Sequence, residues 1–202
     1  MTLVGGVDRE LVDRLVAALE AGDPVVIPTD TVYGLAALPS VPGATSRLYA
    51  LKDRRPDVPL AVLVAGPETL DEVSAASDPR VTALVRRHWP GPLTLVVRRR
   101  PALAVWDLGG DPGTIGVRSP DHPLVRAVAE RVGPIATTSA NRHGQPTPAT
   151  AAAAAASLTG PVAVVADGGP RAGTASTVLD VTADPWRILR TGALTAADLG
   201  IA

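Results

Sequence analysis

The sequence predicts a mixed α/β domain, on three observations. Segments with the apolar spacing of amphipathic helices occur together with short apolar runs that are typical of buried strands. The two kinds of segment alternate unevenly, which favours a mixed sheet over a regular doubly wound one. The chain of 202 residues has neither an internal repeat nor an obvious linker, so we expect one domain over residues 1–202.

The predicted helices carry start and stop signals. The first covers residues 8–21, with Asp8 as N-cap, Gly22 as terminator and one apolar face (Leu11, Val12, Leu15, Val16 and Leu19). Further helices are predicted at residues 42–51, 67–75, 79–87 and 121–131. The alanine-rich residues 150–156 fit a helix or a low-complexity linker, and alanine's high helix propensity favours the helix. Strands are predicted at residues 24–27, 60–64, 93–98, 114–118, 134–138, 162–166, 177–181 and 187–189.

The composition excludes several classes of protein. Cysteine is absent, which excludes disulfides, iron–sulfur clusters, thiolate zinc sites and a cysteine nucleophile. The formal net charge is −1, so the chain has no strongly basic coat for nucleic acid. Mean hydropathy is +0.21, yet no stretch of about 18 apolar residues is free of charge, and the N-terminus lacks the apolar core of a signal peptide. We therefore expect a soluble cytoplasmic protein with no membrane partner.

Several common site motifs are missing. The sequence has no P-loop, no dinucleotide-binding glycine fingerprint, and no G-x-S-x-G, S-x-x-K or H-E-x-x-H. The histidines His88, His122 and His143 are isolated, and each is expected to be a surface or capping residue rather than a metal ligand.

Polar side chains gather instead where strands end or loops turn, at residues 28–35, 52–56, 116–118, 137–141 and 176–178. Each patch also has a structural explanation, such as a Ser/Thr turn in the first or cations at a helix C-terminus in the second. Together they combine Lys, Arg, Ser, Thr and Asn without His or Cys, which indicates a site for polyphosphate and carboxylate groups. Lys52 is the one lysine in the chain, which indicates a position that needs an ammonium.

These motifs resemble the YrdC family of L-threonylcarbamoyladenylate synthases from Asp8 to about Leu194. The matching segments are Pro28-Thr-Asp-Thr-Val-Tyr-Gly-Leu35, Lys52-x-Arg54, Pro59-Leu60, Trp89-Pro-Gly-Pro-Leu-Thr94, Thr114-Ile-Gly-Val-Arg118, Pro120-Asp-His-Pro123, Ser139-x-Asn141, Asp167-Gly-Gly169, Ser176-Thr-Val178 and Ile188-Leu-Arg190. The Lys-x-Arg and Ser-x-Asn motifs in this order, with the Pro-Thr-Asp-Thr loop upstream, form a specific signature.

The resemblance implies a YrdC-like fold, an α/β twisted open mixed sheet with flanking helices and a large concave, positively lined cavity. It implies the synthesis of threonylcarbamoyl-AMP and pyrophosphate from L-threonine, bicarbonate and ATP, with Mg²⁺ accompanying ATP. Separate transferase proteins would then transfer the threonylcarbamoyl group to tRNA, and the chain resembles the short, single-domain form of the family.

The site residues follow from this chemistry and this resemblance. Lys52 and Arg54 are assigned to the ATP phosphates, because a cationic clamp with Mg²⁺ can neutralise their charge. The resemblance implies L-threonine contacts from Thr31, Arg118 and Ser176. It implies that the nucleotide is lined by the backbone near Val58 and by Thr114, Ser139, Asn141, Thr147 and Arg190.

The sequence departs from the family pattern at two positions, and two other functions stay open. Arg55 stands where the family has Pro directly after Lys-x-Arg, and Leu63 stands where many members carry His. One alternative is a non-catalytic binder of double-stranded RNA or tRNA that uses the basic clusters at residues 86–88 and 98–100. The other is a carbamoyl-adenylate module of the kind found in much longer chains.

Overall fold

The structure is a computed structural model that describes residues 3–4, 7–75, 78–171 and 173–201. Its strands are β1 Leu3–Val4, β2 Val7–Asp8, β3 Val25–Pro28, β4 Tyr33–Ala37, β5 Ala61–Leu63, β6 Leu93–Arg98, β7 Thr114–Arg118, β8 Ile135–Ser139, β9 Val164–Val165, β10 Thr177–Asp180 and β11 Arg187–Arg190. Its α-helices are α1 Arg9–Glu20, α2 Ala44–Lys52, α3 Leu70–Val73, α4 Pro79–His88, α5 Pro123–Val132, α6 Ala151–Ala156 and α7 Ala196–Leu199. Short 3₁₀ turns lie at Pro67–Thr69 and Pro101–Leu103.

The main sheet is mixed and open, as the sequence predicts. Within the described ranges it has nine strands in the order β11-β10-β6-β7-β5-β8-β4-β3-β9. The pairs β6–β10, β5–β7 and β3–β9 are parallel, whereas the other neighbours are antiparallel. No helix in the described part of the chain is long and apolar enough to cross a bilayer.

Helix ends follow the capping signals in most places. The Asp8 side chain accepts a hydrogen bond from the Glu10 N–H at the start of α1, and Asp78 caps α4 in the same way. Thr150 caps α6, so the alanine-rich segment is a helix and not a linker. Each of these side chains satisfies an N–H that the helix itself leaves unpaired.

The two faces of the sheet carry different helices. On one face α1 and α5 pack together over β3 and β9, and residues such as Leu15, Ile27 and Val125 form their apolar contact. On the other face α2, α3, α4 and α6 cover most of the sheet, with Leu48 and Leu95 fully buried between the layers. Because successive strand residues point to opposite faces, one face can be completely covered while part of the other stays open.

The structure corrects several predicted bounds. Residues 33–37 form strand β4, where the sequence analysis predicted no strand and described residues 28–35 only as a polar patch; the fully buried Tyr33 and Leu35 belong to the core. The helix predicted from residue 42 begins at Ala44 with Gly43 as its N-cap. The predicted helix 67–75 is a 3₁₀ turn followed by α3, and the predicted strand 162–166 is reduced to β9.

Candidate functional site

A cavity of about 310 Å³ lies on the part of the α1/α5 face that those helices leave uncovered. Small residues form its floor, since Gly34, Ala61 and Gly116 all line it. A Cβ at Gly34 would lie 2.9 Å from Thr137 Oγ1, which is too close for a larger residue. A Cβ at Gly116 would meet only ordinary contacts at 3.4 and 3.7 Å, so the missing side chain there sets the depth of the cavity.

The turn between β3 and β4 forms one wall. The Thr29 hydroxyl donates to the Val32 carbonyl at 2.6 Å and accepts from the backbone N–H groups of Thr31 and Val32. These bonds make a rigid Ser/Thr turn whose hydroxyls are almost completely buried. A Cβ at Gly173 would overlap the Thr31 carbonyl, so the segment that leads to Ser176 lies directly against this turn.

Arg118 joins the turn to the sheet. It ends β7, is 6% exposed, and donates to the Gly91 carbonyl at 2.9 Å, to Thr31 Oγ1 at 2.8 Å and to Asp30 Oδ1 at 2.6 Å. Burial lowers the pKa of Arg118, and the neighbouring Asp30 carboxylate opposes that shift. A guanidinium has five N–H donors, so within the described residues two of them stay free for a ligand.

A second cation stands across the cavity on β11. Arg190 donates from Nε and Nη2 to the Ser176 carbonyl at 3.1 and 2.9 Å, and from Nη2 to Ser176 Oγ at 3.0 Å. Ser176 Oγ also lies 2.8 Å from Thr94 Oγ1, which is buried in the floor. Burial lowers the pKa of Arg190, because desolvation disfavours the charged form.

Arg54 lies at the end of the cavity nearest β8. Its Nη1 donates to Thr138 Oγ1 at 2.9 Å, and its Nη2 donates to the carbonyls of Pro59 and Val58 at 2.9 and 3.3 Å. Its Nε is buried and has no partner among the described residues. Over the same ranges neither Arg54 nor Arg190 has a carboxylate partner, so both positive charges are available to an anion in the cavity.

Lys52 lies beneath the cavity instead of lining it. Its side chain is 1% exposed, and its ammonium donates to the carbonyls of Ser139 and Asn141 and to Asn141 Oδ1 at 3.2 Å. Burial, together with the charge of Arg54, lowers the pKa of Lys52 to about 8.

The cavity thus brings together six of the predicted site residues, Thr31, Arg54, Arg118, Ser139, Ser176 and Arg190. The other five predicted site residues do not line the cavity. Lys52 and Asn141 are buried below it, Val58 faces Arg54 through its carbonyl, Thr114 is hydrogen-bonded to the Asp111 carbonyl at 3.3 Å, and Thr147 is half-buried in the loop after Asn141.

Sequence reasoning did not single out three residues of the site. Asp30 neutralises Arg118, Thr94 contacts Ser176, and Thr138 accepts from Arg54. Asp30 and Thr94 lie within quoted motifs, but only the fold shows which partner each has. Leu63, which stands where many family members carry His, lines the cavity with an apolar side chain.

The arginines of the cluster at residues 98–100 donate to backbone carbonyls of the protein itself. Arg99 is 6% exposed and donates to the carbonyls of Leu103 and Trp106, and Arg100 donates to those of Asp71 and Ser74. Arg99 is therefore buried inside the protein, whereas Arg98 and Arg100 are exposed.

No metal cluster of histidine or carboxylate side chains occurs in the described ranges, and His122 contacts Arg171 at 3.1 Å. His122 stands at the N-cap position of α5, but its side chain makes no capping hydrogen bond there. Burial, followed by the charge of Arg171, lowers the pKa of His122.

Comparison with known proteins identifies the family of the chain. The family model Sua5_yciO_yrdC, described as "Telomere recombination", matches residues 17–192. The chain belongs to the Sua5/YciO/YrdC family. Its Sua5/YciO/YrdC fold is shared with a solved structure of Pyrococcus abyssi Sua5 complexed with L-threonine, at a TM-score of 0.89 and 33% identity over 96% of this chain and 57% of that one.

Curated members of the Sua5/YciO/YrdC family extend the likeness. A Mycobacterium tuberculosis protein provisionally named as a threonylcarbamoyl-AMP synthase is 41% identical over 178 residues, which are 88% of this chain and 82% of that protein. The threonylcarbamoyl-AMP synthase of Bacillus subtilis is 37% identical over 89% of this chain and 52% of its own length. The chain therefore spans about half the length of the Bacillus and Pyrococcus relatives.

Proposed function

We propose that the protein is an L-threonylcarbamoyladenylate synthase, which makes threonylcarbamoyl-AMP and pyrophosphate from L-threonine, bicarbonate and ATP. The observation that carries this proposal is the pair Arg54 and Arg190, two guanidinium groups that line one cavity without a carboxylate partner in the described chain. Such unneutralised cations suit a ligand with several negative charges. The relatives named as threonylcarbamoyl-AMP synthases support the same reaction.

The turn side of the cavity suits the amino acid. The two free N–H groups of Arg118 match a carboxylate, and the hydroxyls of Thr31 and Ser176 can meet polar atoms beside it. The L-threonine complex of the Pyrococcus abyssi relative supports an amino-acid substrate here. Asp30 keeps the guanidinium of Arg118 fixed in direction, so the substrate carboxylate meets a preorganised donor pair.

The remaining cations suit ATP. We assign Arg54 and Arg190 to its phosphates, and Ser139 and the backbone near Val58 to the rest of the nucleotide. We assign Mg²⁺ to the ATP substrate, because ATP phosphates with water supply the oxygen ligands that this ion prefers. When bound, the ion neutralises phosphate charge.

The chemistry then needs position and charge rather than a protein nucleophile. The free amine of L-threonine attacks the carbon of bicarbonate, and loss of water leaves an N-carboxylate. An oxygen of that carboxylate attacks the α-phosphorus of ATP, and the bond to the β,γ-pyrophosphate breaks. Arg54 and Arg190 stabilise the charge on the phosphates as the leaving group departs, and the enclosed site holds three reactants together. We place the reaction in the cytoplasm, with separate transferase proteins using the product on tRNA.

A mass-spectrometric assay tests this proposal. The protein is incubated with ATP, Mg²⁺, L-threonine and bicarbonate, and both threonylcarbamoyl-AMP and pyrophosphate are measured. We expect both products only when every substrate is present, and Arg54→Met and Arg190→Met to reduce their rate about 100-fold, the typical cost of losing a charge-stabilising donor. Pyrophosphate without threonylcarbamoyl-AMP, or product from carbamoyl phosphate in place of L-threonine and bicarbonate, would contradict it. A pure RNA binder would form neither product.

A further inference from the structure

The ammonium of Lys52 has no donor left for a phosphate. It ends α2, is 1% exposed, and donates to the carbonyls of Ser139 and Asn141 and to Asn141 Oδ1. An ammonium has three N–H donors and no acceptor, so these three oxygens use all of them. The backbone of the same lysine adds a fourth tie, because the His143 N–H donates to the Lys52 carbonyl at 2.9 Å.

These contacts give the Asn141 amide a single orientation. Its Oδ1 accepts from Lys52, and its Nδ2 donates to the carbonyls of Arg142 and Gln145 at 3.0 and 2.6 Å. The reversed amide would turn an NH₂ group toward the ammonium and an oxygen toward two carbonyl oxygens. Both arrangements repel, so the charge of Lys52 decides where the amide oxygen lies.

The amide in turn decides the direction of the Ser139 hydroxyl. Ser139 Oγ lies 2.5 Å from Asn141 Oδ1, which can only accept, so the one hydroxyl proton of Ser139 is donated there. Ser139 also lines the cavity. It can offer the cavity only oxygen lone pairs, which accept from an N–H or O–H group but cannot donate to a phosphate oxygen.

We propose that Lys52 is a positioning residue that acts through Asn141 on Ser139, and that it does not contact the ATP phosphates. Ser139 then recognises a hydrogen-bond donor on the substrate, either an N–H or O–H of the nucleoside or the amine of L-threonine. This replaces the assignment of Lys52 to a phosphate clamp. The identity of these ligands rests on the proposed function; the Lys52–Asn141–Ser139 chain does not.

Calorimetric titration of Lys52→Met with ATP and with AMP separates the two roles. A positioning residue affects both nucleotides equally, so we expect the two affinities to fall by the same factor, within about twofold. If Lys52 instead bound the phosphates, the variant's affinity for ATP would fall at least about 10-fold more than its affinity for AMP, because charge-assisted bonds to the additional phosphates are lost. That ATP-selective loss would overturn the proposal. Arg54→Met is the matched control, a cation two residues away that lines the cavity, and it is expected to show the selective loss.

Combining variants tests the route through Ser139. Ser139→Ala is expected to weaken the binding of AMP or of L-threonine about 10-fold in the wild-type background. In Lys52→Met the same substitution should weaken it less than about twofold, because the lysine acts through that hydroxyl. In Arg54→Met it is expected to keep its full effect. Equal effects in all three backgrounds would overturn the proposal. Titrating Ser139→Ala with AMP and with L-threonine separately shows which substrate carries the donor.

Hydrogen exchange tests the positioning role of Lys52 without any ligand. In Lys52→Met the amides of His143 and Gln145 are expected to exchange at least about 10-fold faster than in Arg54→Met, because the loop has lost its anchor. Unchanged exchange would overturn the positioning role. If Lys52→Met does not fold, Asn141→Ala takes its place, because it breaks the Lys52–Asn141–Ser139 hydrogen bonds while keeping the lysine. Its ligand affinities are expected to match those of Ser139→Ala. Absence of adenine-nucleotide binding by the wild-type protein would count against the proposed function and leave this exchange result to decide the role of Lys52.

Discussion

Removing one partner of the Asp30–Arg118 ion pair should destabilise the protein strongly, because it leaves a buried charge unpaired. The two side chains are 16% and 7% exposed, and Arg118 Nη2 lies 2.6 Å from Asp30 Oδ1. Asp30→Asn keeps the shape but leaves a guanidinium almost out of water without its counter-charge. Breaking such a buried pair costs about 3–5 kcal/mol. A chain of this size loses about 2–4 °C of Tm per kcal/mol, so we expect Tm to fall by about 10 °C.

A second ion pair in the same chain provides the control. Asp23 lies 2.5 Å from Arg47, but the two side chains are 46% and 55% exposed. Water already solvates both charges there, so Asp23→Asn should cost no more than about 1 kcal/mol, or about 2–4 °C of Tm. Differential scanning calorimetry of the two Asn variants compares the same substitution in two environments.

A double variant tests whether the cost comes from the unpaired charge. Asp30→Asn with Arg118→Met removes both charges, so its destabilisation should fall at least about 2 kcal/mol short of the sum of the single variants. Additive single effects, or equal Tm losses for Asp30→Asn and Asp23→Asn, would refute the reasoning.

Three further predictions concern the cavity floor, the buried Tyr33 hydroxyl and the buried lysine. Gly116→Val should fill the cavity floor and lower kcat/KM about 100-fold. Its Tm should change little, because a Cβ at this position meets only ordinary contacts. Gly116→Ala should have a smaller effect on kcat/KM, and a fully active Val variant would contradict this view of the floor. Tyr33→Phe removes a hydroxyl that donates to the Gly169 carbonyl at 2.7 Å and accepts from the Gly168 N–H. It should lower the free energy of unfolding by about 1–3 kcal/mol and speed amide exchange at residues 167–171. Unchanged exchange would contradict this role of the hydroxyl. The pKa of Lys52 is lowered by burial from 10.5 to about 8, so the unfolded chain binds more protons between those values and stability should rise with pH across that window. Urea unfolding at several pH values should show this gain, up to about 1.4 kcal/mol per pH unit, in the wild type and not in Lys52→Met; parallel pH profiles would show that the lysine titrates normally.

The sequence alone predicts the local features of the fold and the composition of the site. The Asp8 cap, the apolar face of α1 and the helix at the alanine-rich segment depend on residues within about four positions of one another, and local chemistry decides them. The mixed sheet follows from the uneven alternation of helices and strands. Six predicted residues meet in one cavity because their motifs end strands or turns that reach the same face.

Strand β4 was missed for a physical reason that the structure shows. Polar residues of the Thr29–Thr31 turn run directly into Tyr33 and Leu35, so the loop signal masks the alternation of the short strand that follows. Pairing with β3 and β8 supplies the stabilisation that the short segment lacks by itself. Only the assembled sheet therefore defines where the turn ends.

Partners at long sequence separation were decided by the tertiary structure. The sequence shows that Lys52, Asp30 and Arg118 carry charge, but it does not show that Asp30 neutralises the arginine 88 positions away or that the ammonium meets carbonyls beyond residue 138. Whether a cation faces a ligand or holds a loop depends on the directions in which strands and helix ends bring side chains together. Those directions follow from packing across the whole sheet, which no local pattern encodes.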